Sequence, residues 1–218
     1  MSSNLGFIPF QYQGLHFHKP LQLHKFPRIH SAIDRHKRHK RRNRVGLGRR
    51  KFLIKSMKAV IQRVASASVE VEGRTVSAIG PGLLVLVGLH ESDLESDAEY
   101  ICRKVLNMRL YPNEKSGKTW DQNVMQRNYE VLLVSQFTLY GVLKGNKPDF
   151  HVAMPPEKAK LFYASLVEKF RKAYNMDAVK DGVFGAMMKV NLVNDGPVTM
   201  QLDSAQSSRN TNGAVEAP

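Results

Sequence analysis

The sequence predicts an α/β domain of several strands and two helices, preceded by a basic extension. Three observations lead there. Leu83–Leu89 is a continuous apolar run of strand length, and Val131–Leu139 reads as a second buried strand. Stretches beginning at Ser92 and at Pro155-Pro156 carry apolar residues at helical spacing. The composition also changes abruptly at Met57. Of 33 Lys+Arg and 19 Asp+Glu, residues 1–56 hold 14 basic residues and one acid, Asp34, a net charge of +13. Residues 57–218 are almost neutral at +1, so the overall +14 belongs to the extension and not to a folded body.

The elements follow in chain order. Residues 1–56 contain KRHKRRNR at 37–44 and helix-breaking Pro9, Pro20 and Pro27, and are expected to be disordered. Four readings of this segment stay open: an organellar transit peptide, a nuclear import signal at 36–42, an RNA-gripping arm, or a dispensable leader. From Met57 the pattern becomes regular. Ala59–Val64 and Ser68–Val71 read as strands, and a turn at Glu72-Gly73 leads to Val76–Ile79. Gly80-Pro81-Gly82 turns the chain into the first buried run.

Ser92 and Glu95 form a capping-box pattern, with Leu94, Ala98, Ile101, Val105 and Met108 as the helical stripe. A loop with Asn113 and Gly117 precedes the second run. The second helix opens at Pro155-Pro156, with Ala159, Phe162, Leu166, Phe170 and Ala173 facing the core. Met187–Val193 and Val198–Leu202 read as two strands around a turn at Asn194–Pro197. The tail, 204–218, is Ser/Asn/Gly-rich and expected to be disordered. The domain boundaries are therefore 1–56, 57–203 and 204–218.

Composition excludes several chemistries. A single cysteine, Cys102, rules out an internal disulfide or a multi-Cys metal site, and its place on an apolar helical face makes it a core residue. No run of 18 apolar residues is present, so no membrane-spanning helix is expected. No His/Asp/Glu group has ligand spacing, so neither metal nor other cofactor is expected. The sequence carries no G-x-S-x-G, H-E-x-x-H or P-loop pattern. His90 and His151 are the only histidines of the body.

Two segments remain as candidates. Ser135, Gln136 and Thr138 interrupt a buried run, so they either face outward along an alternating strand or line a wet cleft. Gly196-Pro197 places a residue without an N–H between two strands, which means an ordinary hairpin turn or a cis bond with exposed carbonyls.

The strand MKAVIQRV at 57–64, SQFTL at 135–139, KGNKPDF at 144–150 and NDGPVT at 194–199, in this order, resemble the D-aminoacyl-tRNA deacylases. The resemblance runs from Met57 to about Asp203. It implies a homodimer of α/β subunits with strongly curved, barrel-like mixed sheets and two main helices. It also implies hydrolysis of the ester of D-aminoacyl-tRNA, with Gly196 and Pro197 of one subunit entering the partner's pocket as a chiral gate. Glycine would pass that gate, which adds glycyl-tRNA mischarged on tRNA-Ala. Arg63 would hold the Gly-Pro loop, and Ser135 and Gln136 would seat the terminal adenosine. Phe137 and Thr138 would supply oxyanion-binding N–H groups, with Phe150 at the pocket border and Met187-Met188 near the dimer seam. Thr138 as nucleophile and attack assisted by the ribose 2′-hydroxyl both remain open. The implied location is the cytoplasm, or a plastid or mitochondrion if residues 1–56 are a transit peptide. A reading of another class also stands: a nucleic-acid-binding module of little activity that acts through the basic extension.

Overall fold

A computed structural model describes residues 56–205. The extension up to residue 55 and the tail beyond residue 205 lie outside the described residues, with every expectation placed on them. The elements are β1 (Lys58–Val71), β2 (Arg74–Ile79), β3 (Gly82–Gly88), α1 (Glu95–Asn107), β4 (Tyr111–Asn113), β5 (Lys118–Gln122) and β6 (Glu130–Ser135). After a 3-10 turn at Phe137–Tyr140 come β7 (Val142–Lys144), β8 (Lys147–Asp149), α2 (Pro156–Ala173), β9 (Val179–Asp181) and β10 (Lys189–Asp203).

The main sheet has the order β10-β1-β3-β6-β9, with β2 also paired to β1. β1 is antiparallel to β10, β2 and β3, whereas β3–β6 and β6–β9 are parallel. One half of β1, Lys58–Val64, pairs with β3, and the other, Ala67–Val71, pairs with β2. This strand therefore bends through the sheet and curls it toward a barrel. Lys180 of β9 helps to close it, donating to the Ala78 carbonyl of β2 at 2.8 Å and pairing with Glu130 at 2.7 Å.

The two apolar runs are explained by two cores. Leu83, Val85, Val87, Val131 and Leu133 face α1 and α2, in a cluster that includes Ile101, Val105, Leu166 and Phe170. Leu84, Leu132 and Val134 point the other way, into the curve of the sheet, with Val64, Val69 and Ile79. Alternate residues enter different cores, so no position of Leu83–Leu89 or Val131–Val134 is exposed. The Glu72-Gly73 turn has positive φ at both residues, 51° and 76°, the geometry of a two-residue hairpin.

Several expectations are corrected. β1 is one strand, not two: its register shifts between Gln62 and Ser66, and the bulge carries it from one core to the other. α1 starts at Glu95, so its leading N–H, on Leu94, is bonded by Asp97 at 2.8 Å. Ser92 is instead occupied by the His90 ring at 2.9 Å and does not pair with Glu95. Leu94 is consequently exposed, and Cys102 and Leu106 complete the buried face. On α2, Tyr163 and Val167 are buried where Ala173 is not, and Phe162 lies at the edge of the core. The loop around Asn113 and Gly117 is a β4–β5 hairpin. The second apolar strand stops at Ser135. Ser56 and Ser204, assigned to the flanking segments, are buried within the domain.

Candidate active site

The site begins where β6 ends. Val87 of β3 pairs with Ser135, and the Val87 carbonyl accepts the Gln136 N–H at 2.7 Å. The chain then turns into the 3-10 segment instead of extending the strand. Gly88 permits this close approach. A Cβ there would lie 2.9 Å from Leu139 Cβ, 3.1 Å from Tyr140 Cε2 and 3.3 Å from the Gln136 carbonyl oxygen. The turn opens on Phe137 and Thr138, whose N–H groups lead a helical turn and so have no partner inside it. The Gln136 side-chain amide donates to Thr138 Oγ1, and the Gly141 N–H closes the turn on the Thr138 carbonyl at 2.9 Å.

A cleft of about 530 Å³ lies against this turn. Ser135, Gln136 and Phe137 form one wall, Phe150 and His151 another, and Met154, Ala159 and Phe184 the floor. Phe137 and Phe150 meet edge to face, with centroids 4.9 Å apart. A mostly apolar cleft with a few polar groups at one rim suits a flat aromatic ring carrying polar substituents. At the mouth, Asp149 binds Lys144 and His151, and Lys144 first and then His151 hold its carboxyl well below the usual carboxylate range. Thr138 is exposed and is not among the residues lining the cleft.

The Gly-Pro segment lies elsewhere. Gly196-Pro197 is cis and interrupts no hairpin, because β10 is one strand that pairs with β1 on both sides of it. Gln62 pairs with Thr199 and Val64 with Asn194, so four residues, Asp195–Val198, bulge out opposite Arg63. Arg63 holds this bulge. Its Nε reaches Asp195 Oδ2 at 2.9 Å and the Asp195 carbonyl at 3.3 Å, and its Nη1 donates to the Leu110 carbonyl at 2.6 Å. The guanidinium also lies over Tyr111 and Trp120, about 6 Å from each ring centroid. At the edge of the bulge, the Asn194 amide donates to the carbonyls of Arg63 and Val198 at 2.9 and 3.1 Å.

Arg63 is level with Leu83, whereas Ser135 is level with Val87 two strands away. The separation is roughly 13 Å along the sheet and roughly 10 Å across it. Ser135, Gln136, Phe137 and Phe150 therefore come together in one place. Arg63, Gly196 and Pro197 come together in another, and within one chain the two groups do not meet.

Residues that spacing did not single out complete the site. Gly88 was hidden in an apolar run, and Phe184 follows a short strand that carries no pattern. Cys102 is buried, which pushes its thiol up to about 11 and leaves it a core residue. Among the described residues no helix is long and apolar enough to cross a membrane, and no group of three His, Cys, Asp or Glu is placed to hold a metal ion.

A curved sheet closed on two helices, with a polar-rimmed apolar cleft at the end of a parallel strand, defines a small-ligand α/β domain. The family model for D-Tyr-tRNA(Tyr) deacylase matches residues 60–203, and the chain belongs to that family. It is 55% identical over 150 residues to D-aminoacyl-tRNA deacylase of Dictyostelium discoideum, covering 69% of this chain and 99% of that one. It is likewise 55% identical over 148 residues to D-aminoacyl-tRNA deacylase 1 of Homo sapiens, covering 68% and 70%. A solved structure described as c-Myc DNA unwinding element binding protein superposes with a TM-score of 0.64 at 54% identity, covering 66% and 97%. Another, of a probable eukaryotic D-amino acid tRNA deacylase, has a TM-score of 0.58 at 17% identity over 68% and 99%, and shows the fold.

Proposed function

We propose that this protein hydrolyses the ester joining a D-amino acid to the terminal adenosine of tRNA, as a chiral proofreading step in translation. The observation that carries this reading is the Ser135–Thr138 turn opening beside an apolar cleft of about 530 Å³, in a domain whose length belongs to the deacylase family. Ser135 and Gln136 seat the adenosine, and Phe137 and Phe150 bracket the cleft. The N–H groups of Phe137 and Thr138 stabilise the oxyanion that forms when water attacks the ester carbonyl. The Thr138 hydroxyl accepts from the Gln136 amide, which cannot take up its proton, so that hydroxyl is a poor nucleophile. The substrate's own ribose 2′-hydroxyl assists the attack.

Selection against L residues is assigned to Gly196 and Pro197 of a second copy. Two features support the pairing. The Gly-Pro bulge is far from the cleft of its own chain, and β10 is the edge of the main sheet, with Leu192, Val193 and Met200 exposed. The two carbonyls of the gate occupy the space an L side chain would need, so a D residue enters and glycine enters too, including glycine mischarged on tRNA-Ala. The working location is the cytoplasm, or an organelle if residues 1–56 act as a transit peptide.

The test is release of tyrosine from D-Tyr-tRNA and L-Tyr-tRNA by the full chain. Turnover confined to the D form is expected, and equal turnover of both would sink the gate. The name of the DNA unwinding element binding protein favours a second reading, a nucleic-acid-binding module. No turnover together with salt-sensitive duplex binding would select it.

A further inference from the structure

The start of the domain is buried, not displayed. Ser56 is 1% exposed and Met57 is 0% exposed. The Met57 N–H donates to Ser204 Oγ at 3.0 Å, and the Ser204 hydroxyl donates onward to Asp97 Oδ1 at 2.6 Å. Asp203 Oδ1 accepts the Ser56 hydroxyl and the Ala205 N–H. Asp93, 3% exposed, is a third acid beside these two. Its Oδ2 accepts the His90 N–H at 2.7 Å, while its Oδ1 has no hydrogen-bond partner. Burial first, and then Asp97 and Asp203, push the Asp93 carboxyl up to about 7. Tyr140 faces the same three acids and donates its hydroxyl to the Ser56 carbonyl. Of the cations nearby, Lys158 acts on Asp93 from α2, and Lys58 lies over the Tyr140 ring at 5.0 Å. The buried Met57 nitrogen is thus linked through the Ser204 hydroxyl to Asp97, Asp203 is bonded to the preceding Ser56, and Asp93 interacts with both acids; a buried carboxyl oxygen without a partner calls for a hydrogen-bond donor or a cation.

We propose that the working polypeptide begins at Met57, and that its α-ammonium is the cation this cradle is built to hold. The nitrogen already points at Ser204. As a free terminus it gains two N–H donors and a positive charge. Without Ser56, the acceptor Asp203 Oδ1 and the Tyr140 hydroxyl oxygen become available to those two donors. The Ser56–Met57 bond is buried in the folded domain, so the terminus is set before folding. Initiation at Met57 does this with no bond broken. Cleavage of the nascent or translocating chain adds one water across the bond, leaving a carboxylate on Ser56 and the ammonium on Met57. All described strands and helices lie between Lys58 and Asp203, so such a chain retains the whole fold.

The ammonium and the acids titrate together. An amine held by carboxylates has its folded pKa raised above the ordinary value of about 8. Its contribution is complete below that value and is lost as pH rises through the folded one.

The test has two parts. Intact-mass analysis of the protein from its native cells should give Met57 with a free amine as the first residue. Chains extending past Ser56 would overturn the proposal. In parallel, the full chain and a chain starting at Met57 are melted at neutral pH. The shorter chain should melt several degrees higher, although it lacks the Ser56 hydrogen bonds, and Asp203→Asn should shrink the gap. A full chain that melts at the same temperature or higher would overturn it. Should Asp203→Asn fail to fold, NMR titration of the Met57 α-amine in [15N]methionine-labelled protein replaces it. A pKa above about 8 supports the cradle, and one at or below that value removes it.

Discussion

Replacing Gly88 with alanine perturbs the turn that forms one wall of the cleft while leaving every proposed catalytic group in the chain. The new Cβ would sit 2.9 Å from Leu139 Cβ and 3.1 Å from Tyr140 Cε2. Carbon atoms at rest lie about 3.5–4.0 Å apart, so the shortfall is roughly 0.6–1.1 Å. β3 is fixed between two strands, so the 3-10 turn is the part that moves. Overpacking of this kind costs about 1–3 kcal/mol, which lowers the melting temperature of a domain this size by about 3–10 °C. A displacement near 1 Å at the Phe137 and Thr138 N–H groups costs about 10²-fold in rate. The assay is kcat/KM on D-Tyr-tRNA beside a thermal melt, both well below the melting temperature. Gly73→Ala serves as the control. It has φ of +76° with open space around it, so it costs about 1 kcal/mol through backbone strain and leaves the rate unchanged. An alanine at position 88 that destabilises the fold yet leaves kcat/KM intact would refute the assignment of oxyanion binding to this turn.

Thr138→Ala should change the rate by less than about threefold if the RNA hydroxyl assists the attack, whereas a loss of about 10³-fold or more in single-turnover rate would make Thr138 the nucleophile. Arg63→Leu removes the bonds to Asp195 and Leu110 and should destabilise the fold by about 2–4 kcal/mol in urea melts, with D-Tyr-tRNA turnover lost while the monomer cleft persists. Gly196→Ala places a Cβ 2.7 Å from Val198 Cγ2 at a φ of +120°, and should cost about 1–3 kcal/mol and alter the D-to-L rate ratio more than Gly73→Ala does. Asp93 has a folded pKa of about 7 against an unfolded value of 3.8, so the folded state binds the extra proton and stability of the full chain falls as pH rises from about 4 to 7. Asp93→Asn should flatten that fall in a series of melts, and an unchanged slope would place the titration on another group.

Local signals in the sequence carried a good part of this structure. The runs at 83–89 and 131–134 announced strands covered on both faces, because only a residue that meets protein on either side can be apolar at every position. Pro155-Pro156 marked the start of α2, since a missing N–H costs nothing in a first helical turn. Other features depended on partners distant in sequence. SQFTL reads as the end of a strand, but Gly88 of β3 lets the chain fold over into a turn at Phe137. NDGP reads as a hairpin, but β1 runs alongside both flanks and Arg63 reaches across to hold the bulge. The helix cap moved from Ser92 to Leu94, whose N–H bonds to Asp97, while Ser92 bonds the His90 ring.

Residue order by itself therefore determined the two buried strands and the two helices, which four motifs mark the family, and that the excess charge lies outside the catalytic body. Those properties follow from periodicity and local backbone chemistry, whose reach is a few residues. Tertiary structure alone decided that Ser135–Phe137 and Phe150 share a cleft, and that Gly196-Pro197 stands at the far end of the sheet from it. It also decided that the Met57 nitrogen is bonded to Ser204 and, through its hydroxyl, linked to Asp97. These are matters of sheet register and curvature, which act between segments that are not neighbours in the chain and in one case bond residues 147 positions apart, Met57 and Ser204.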